Sequence, residues 1–465
     1  MTETHRYLIA LLCILFYALW VAVLFHKHKK KHKSKHSEIS RESTLVVYAS
    51  QSGTAEKIAQ AKASQLEGSN SALVVSMASL SLSSLRSVSK AIFVVSTYGE
   101  GEPPDMGRKF NRALQQATRS NSKLLSHLQF EVVGLGDRQY SAFCQFAVTL
   151  FKGIEQLGGN AAKPLLKLDA GRGEHLVFLN NTNNDEHDKA APMVLSSRTL
   201  LNDKGQPDSK QKLFALSFTA PTSQISEGKR LVPNVSMHWK AGDILDVLVY
   251  EGSYTSTGVV ANSKPVVRSY TIASVPEEGD VKLVVRQLVK DDGSLGAGSG
   301  YLTESLQPQQ QAVGVIRTHA NANINNLHAP LLLIAAGSGV AGIRAQLAKR
   351  ALLENAGPVW ILFGERCPDT DNILDSTLSP FHQSSCISHK HIIYSQSPHE
   401  KGYVQHLLLQ HCHGIRSFLG TEGLVYVCGR YDTMGKGVDT ALCTILGDVQ
   451  YQKLNEEHRY YRDLY

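Results

Sequence analysis

The fold turns on Arg268-Ser269-Tyr270-Thr271-Ile272-Ala273-Ser274. The run is β-rich, and side chains two apart on a strand share a face, so Arg268 and Tyr270 line one side of it. A guanidinium able to fork onto a pyrophosphate and a ring able to cover a flavin suit a dinucleotide flavin, with the hydroxyls of Thr271 and Ser274 as further contacts. Taken alone, seven such residues would equally make an ordinary half-buried strand. The patterns on either side decide between the two.

Upstream, apolar runs at 45–49, 72–76, 92–96, 130–134 and 164–168 alternate with helix-like segments at 55–66, 106–117 and 143–157. This is the rhythm of a doubly wound parallel sheet, which binds ligands beyond the carboxyl ends of its strands. After the first strand, Ser50-Gln51-Ser52-Gly53-Thr54-Ala55 opens into a helix, a phosphate cradle without a cation. It lacks the spacing of a triphosphate loop. After the third strand, Thr97-Tyr98-Gly99-Glu100-Gly101 offers backbone approach and a stacking ring. After the fourth, Leu135-Gly136-Asp137 and then Tyr140 offer a second ring. One phosphate and one sandwiched ring describe FMN. Glu100, Glu102, Asp105 and Asp137 make this rim acidic, suited to steering a cationic acceptor protein.

Downstream and around the opening stretch, alternating runs at 212–220, 243–250, 266–274, 281–289 and 312–318 predict an antiparallel barrel. Gly296-Ala297-Gly298-Ser299 precedes a short helix and offers backbone donors for the FAD pyrophosphate. Further on, residues 331–335 followed by Gly337-x-Gly339-x-x-Gly342 read as strand, glycine turn and helix, and runs at 359–363, 392–394 and 424–427 continue an α/β alternation. That is a nucleotide-binding module.

The chain of 465 residues carries a formal charge of +7. Lys27, Lys29, Lys30, Lys31, Lys33 and Lys35 concentrate that charge in one run, which argues against a distributed nucleic-acid face. Before that run, residues 7–25 (YLIALLCILFYALWVAVLF) contain no charge and reach about 28 Å as a helix, enough to cross a bilayer. The lysines place everything after His26 on the cytoplasmic side, so a single-pass signal anchor with cytoplasmic catalytic domains is expected. His26, His28, His32 and His36 interleave with the lysines and suit a solvated run near anionic headgroups better than a metal site. Seven scattered cysteines without a C-x-x-C pair fit a reducing compartment and no structural metal.

With these motifs in order, everything after the anchor resembles the diflavin reductases, the family of the sulfite reductase flavoprotein and the microsomal reductases of haem monooxygenases. Behind the anchor and basic run at 1–42, the resemblance implies a flavodoxin-like FMN domain at 43–170, a linker at 171–211, an FAD-binding barrel at 212–329 and a ferredoxin-reductase-like NAD(P)H domain at 330–465. It implies that Thr271, Cys428 and Asp463 surround the FAD ring where hydride is received, and that Tyr465 covers the ring. It also places Ser395, Gln396, Lys401, Tyr403 and Gln405 around the 2′-phosphate of NADPH.

Some residues depart from the family pattern. Gln396 replaces an arginine, which makes NADH a competitor, Arg430 replaces an acid, and Gly342 replaces a proline. Between Tyr250 and Val267 the helical connecting domain of larger members is missing. The implied activity is electron transfer from NADPH through FAD and FMN to a haem, sulfite-reductase-type or other one-electron acceptor protein. A ferric iron or siderophore chelate is an alternative acceptor, and a non-catalytic tethered docking module is an alternative role.

Overall fold

A computed structural model describes residues 44–51, 53–66, 72–98, 101–120, 123–138, 142–175, 190–202, 212–223, 232–233, 237–250, 265–319, 322–368, 373–381, 386–399 and 401–464. The apolar segment at 7–25, its basic run, and Ser52, Gly99, Tyr140 and Tyr465 lie outside these residues. Among the described residues no helix is long and apolar enough to cross a membrane.

Thr44–Ala49 (β1), Ala72–Ser76 (β2), Lys90–Ser96 (β3), Gln129–Gly136 (β4), Asn160–Ala161 (β5) and Leu166–Asp169 (β6) form the first sheet. Its order is β2-β1-β3-β4-β5, with β6 also on β4, and every pair is parallel. Continuous apolar runs such as LVV in β1 and AIFVV in β3 suit strands covered on both faces. On one face Ala55, Ile58, Ala59 and Ala63 of helix Thr54–Leu66 pack on Val46 and Val94. On the other, Phe110 and Leu114 of Asp105–Arg119 and Phe146, Leu150 and Ile154 of Gln145–Gln156 pack on Leu45, Val47 and Phe93.

The second module contains Ala191–Leu200 (β7), Leu213–Thr219 (β8), Thr222–Ser223 (β9), Val232–Pro233 (β10), Ile244–Val249 (β11), Val266–Thr271 (β12), Val281–Arg286 (β13) and Gln311–Arg317 (β14). Its six-stranded antiparallel sheet runs β12-β11-β14-β7-β8-β13, and β9 pairs with β10 apart from it. β12 and β13, at opposite ends of that order, are joined where Ala273 N–H donates to the Lys282 carbonyl at 2.7 Å. This corrects the expected linker at 171–211: β7 lies inside it and sits between β14 and β8. Its inward residues, Met193 and Leu195, are buried in the barrel core, while Ser196, Ser197 and Arg198 give the run a polar look in sequence.

Leu331–Ala336 (β15), Val359–Glu365 (β16), Ile387–Tyr394 (β17), Leu424–Gly429 (β18) and Tyr460–Leu464 (β19) make a parallel sheet in the order β17-β16-β15-β18-β19. The chain reverses direction across the sheet between β15 and β18, the place where such sheets leave a crevice for a ligand. The terminal strand β19 had not been expected. Its Arg462 and Asp463 are both buried, an unusual pair for a strand and the key to the site.

Candidate functional site

Four side chains meet where the barrel touches the nucleotide module. Asp463 Oδ2 accepts from Thr271 Oγ1 at 2.9 Å, from the Tyr426 hydroxyl at 3.0 Å and from the Cys428 thiol at 3.3 Å. β12 brings Thr271, β18 brings Tyr426 and Cys428 on one face through their spacing of two, and β19 runs beside β18 so that Cys428 pairs with Asp463. Burial, then the neighbouring Asp463, pushes the Cys428 thiol well above its ordinary pKa, so it stays protonated and donates. The Tyr426 hydroxyl is raised by the same two causes. The structure thus brings together the expected Thr271, Cys428 and Asp463, and adds Tyr426.

Gly342 makes room for this cluster. A Cβ there would collide with the Tyr426 hydroxyl and lie 2.8 Å from Cys428 Sγ. The departure from proline at this position is therefore matched by a tyrosine hydroxyl that fills the space.

Arg268 and Tyr270 share a face of β12, as their spacing predicts, and Gly298 lies against both. A Cβ at Gly298 would run into Arg268 Cγ and stand 2.8 Å from the Tyr270 hydroxyl. The backbone at Gly296, Ala297 and Gly298, the guanidinium and the ring form one close-set cradle, a donor set that fits the pyrophosphate and ring of FAD. Ser299 Oγ accepts from Leu288 N–H at 3.0 Å and pins this turn. Ser274 departs from expectation. Its hydroxyl donates to the Asp280 carbonyl at 2.7 Å and accepts from Lys282 N–H at 3.0 Å, so it ties the barrel together and is not part of the cradle.

The carboxyl edge of the first sheet faces the other modules. Ser50 Oγ accepts from Ala55 N–H at 3.2 Å, fixing the loop that carries Gln51, Gly53 and Thr54 into its helix. Thr97 Oγ1 accepts from Phe146 N–H at 3.2 Å and so anchors the start of helix Gln145–Gln156. Asp137 packs its carboxylate against Gly171, and Leu135 is buried in the sheet while Gly136 backs onto Cys144. Two polar atoms at this edge, Gln51 Oε1 and the Tyr98 hydroxyl, are buried without a partner among the described residues. A loop at a helix start with unspent polar atoms beside it among the described residues fits FMN.

This edge is docked. Gln51 Nε2 donates to the Arg462 carbonyl at 3.3 Å, one residue from Asp463. Tyr98, expected to stack on a flavin ring, packs in this conformation against Tyr431 with ring centroids 5.1 Å apart. The Tyr431 hydroxyl donates to Glu102, and Arg462 pairs with Asp105. Arg268 Nη1 donates to the Gly171 carbonyl at 3.3 Å, joining the dinucleotide cradle to the last turn of the first module.

At the carboxyl end of β15, beside the Cys428 carbonyl, Gly337 and Gly339 form the turn into helix Val340–Ala351. Ser395 N–H and Gln396 N–H donate to the carbonyls of Glu365 and Arg366 at 2.9 and 2.7 Å, which sets the loop after β17 beside the loop after β16. Gln396, Lys401 and Tyr403 are exposed there, and Gln405 turns inward with its Oε1 buried and without a partner among the described residues.

Comparison with known proteins agrees with this architecture. Residues 46–177 match the flavodoxin family model and residues 333–440 the oxidoreductase NAD-binding domain. The chain is similar to the sulfite reductase [NADPH] flavoprotein alpha-component of Bacillus subtilis, 23% identical over 92% of this chain and 90% of that protein. It is likewise similar to the alpha-component of Thiocapsa roseopersicina, 26% identical over 87% and 84%. Two matched modules in one chain, joined by a cradle that fits a dinucleotide flavin, support its placement among the diflavin reductases with FMN, FAD and NADPH as cofactors.

Proposed function

We propose that this protein is a membrane-anchored oxidoreductase that carries electrons from NADPH, through FAD and then FMN, to a haem-bearing or sulfite-reductase-type acceptor protein on the cytoplasmic side. The carrying observation is the bond from Gln51 to the Arg462 carbonyl, which sets the mononucleotide loop next to the residue that gathers Thr271, Tyr426 and Cys428. When bound, the nicotinamide and flavins supply hydride and single-electron chemistry. The chain's own residues bind and orient. Arg268 and the turn at Gly296–Ser299 hold the pyrophosphate, and Asp463, which takes the single protons of Thr271 Oγ1 and Cys428 Sγ, fixes where those two atoms stand beside the flavin.

The anchor rests on the uncharged run at 7–25 and the lysines behind it. A shortened chain without the connecting domain is supported by the Bacillus subtilis alignment, which covers 546 positions against 465 residues here. Direct contacts such as Arg462 with Asp105 then orient the two flavin modules.

Release and chromatography of the bound pigments tests the reading. One FMN and one FAD per chain, bleached by NADPH, is the expected result. A colourless protein, or one pigment alone, would sink it.

A further inference from the structure

The strands of the first sheet are all parallel, so they begin at one edge and end at the other. The carboxyl edge carries Gln51, Glu102 and Asp105 and is docked against the other modules. The amino edge is where the chain arrives from the apolar run: Thr44 opens β1 beside Lys90 at the start of β3, and Lys90 stands beside Gln129 at the start of β4. Four exposed cations gather there, Arg86, Lys90, Arg119 and Lys123. Arg86 lies in the helical turn Leu82–Ser87, where the Leu85 carbonyl accepts from His127 Nε2 at 3.1 Å. Arg119 closes helix Asp105–Arg119, which runs back from the carboxyl edge. A Cβ at Gly158, just past helix Gln145–Gln156, would stand 3.4 Å from Lys123 Cβ. None of the four is ion-paired among the described residues.

Acids are scarce at this edge. No Asp or Glu occurs at 76–90 or at 106–130. Glu131 pairs with Lys163 at 2.9 Å, which leaves Glu155 near the end of helix Gln145–Gln156 as the opposing charge among the described residues. Cations not spent on carboxylates are each drawn to an anionic surface within about a Debye length of it, and their attractions add. We propose that this amino edge lies on the anionic headgroups of the membrane that holds the anchor, with Arg86, Lys90, Arg119 and Lys123 as its contacts. The inference rests on the anchor proposed above. Residues 26–43 separate the apolar run from Thr44, and even fully extended such a stretch reaches at most about 65 Å, so the edge stays near the bilayer. The lysines at 27–35 favour the same anionic lipid. The length of β3, Lys90–Ser96, sets the two edges roughly 20 Å apart. The carboxyl edge then points away from the bilayer, which suits an acceptor whose redox centre stands above the headgroups.

The test uses the full-length protein in vesicles of phosphatidylcholine alone or with about a third phosphatidylserine. Its lysines are acetylated briefly and the modified positions are read by mass spectrometry. Acetylation of Lys90 and Lys123 should slow about fivefold or more in the phosphatidylserine vesicles at low salt and recover at high salt, while Lys401, exposed on the nucleotide module, reacts equally in both. Equal labelling of Lys90 and Lys123 in the two vesicle types overturns the proposal.

A second arm repeats the labelling on the double variant Arg86→Gln/Arg119→Gln, which keeps both reporter lysines and changes only exposed side chains. Protection of Lys90 and Lys123 should fall to about twofold or less; protection that the lost charges leave unmoved overturns the proposal. Protection by the water-soluble headgroup glycerophosphoserine, without vesicles, would mean a discrete phosphate site and would also overturn it. Whether alkaline carbonate strips the protein from the vesicles is scored separately and bears on the anchor alone. Lysine protection decides the edge in either case.

Discussion

Arg462, whose side chain is fully buried in the last strand, reaches out of its own module to the Asp105 carboxylate at the start of a flavodoxin-module helix. It also contacts Asp439 at 3.4 Å and Asn455 at 3.3 Å, and its guanidinium lies 4.8 Å from the Tyr460 ring centroid. A buried cation shared between modules fixes how they dock. Asp105→Ala leaves Arg462 with its weaker partners and should loosen the docked state by roughly 1–3 kcal/mol. Small-angle scattering should show a larger radius while FMN content is unchanged. An unchanged radius would mean the pair does not hold the modules together.

Acid should weaken the protein through His175. This residue is buried beside Asp246 and Arg317 at the end of the first module, and burial lowers its pKa to about 4 against the partial opposition of Asp246. The unfolded chain takes up a proton near pH 6.5 that the folded chain refuses until near pH 4. Stability is therefore full above about 6.5 and falls by about 3 kcal/mol as the pH drops through that window. Melting curves from pH 7 to 4 should show this slope, and His175→Gln should flatten it.

Gly342→Ala forces a methyl group into the Tyr426 hydroxyl and Cys428 Sγ. Overpacking of this kind costs about 1–3 kcal/mol. Adding Tyr426→Phe removes the obstructing oxygen and should recover part of the loss in urea titrations. Simple additivity of the two changes would show that they do not share the space.

Gln396 is exposed on the loop after β17, where its backbone N–H is tied to Arg366. At the proposed 2′-phosphate position it would offer a hydrogen bond without charge, so Gln396→Arg should raise the preference for NADPH over NADH in stopped-flow reduction. Unchanged selectivity would remove Gln396 from the phosphate site.

Periodicity carried most of the fold. Apolar runs of a doubly wound sheet announce themselves, and the glycine turns marked the edges where ligands bind. β7 escaped because its outward serines and arginine follow an asparagine-rich run, so only its alternate residues, Met193 and Leu195, report burial. β19 escaped for a different reason. Arg462 and Asp463 read as surface charges until their partners, Asp105 from hundreds of residues away and Thr271 from another module, are in view. Tyr426 was legible in principle, two residues from Cys428 on a strand, whereas nothing local marks His319 as a neighbour of Asp463.

Glu102 and Asp105 belong to the acidic rim that would attract a positively charged visitor, yet Tyr431 and Arg462 already occupy them. On the proposed function, loading from within and delivery outward would compete for one doorway. Salt, which screens such attractions, will help the visitor and the latch let go alike, so output should peak at an intermediate ionic strength and decline on either side of it.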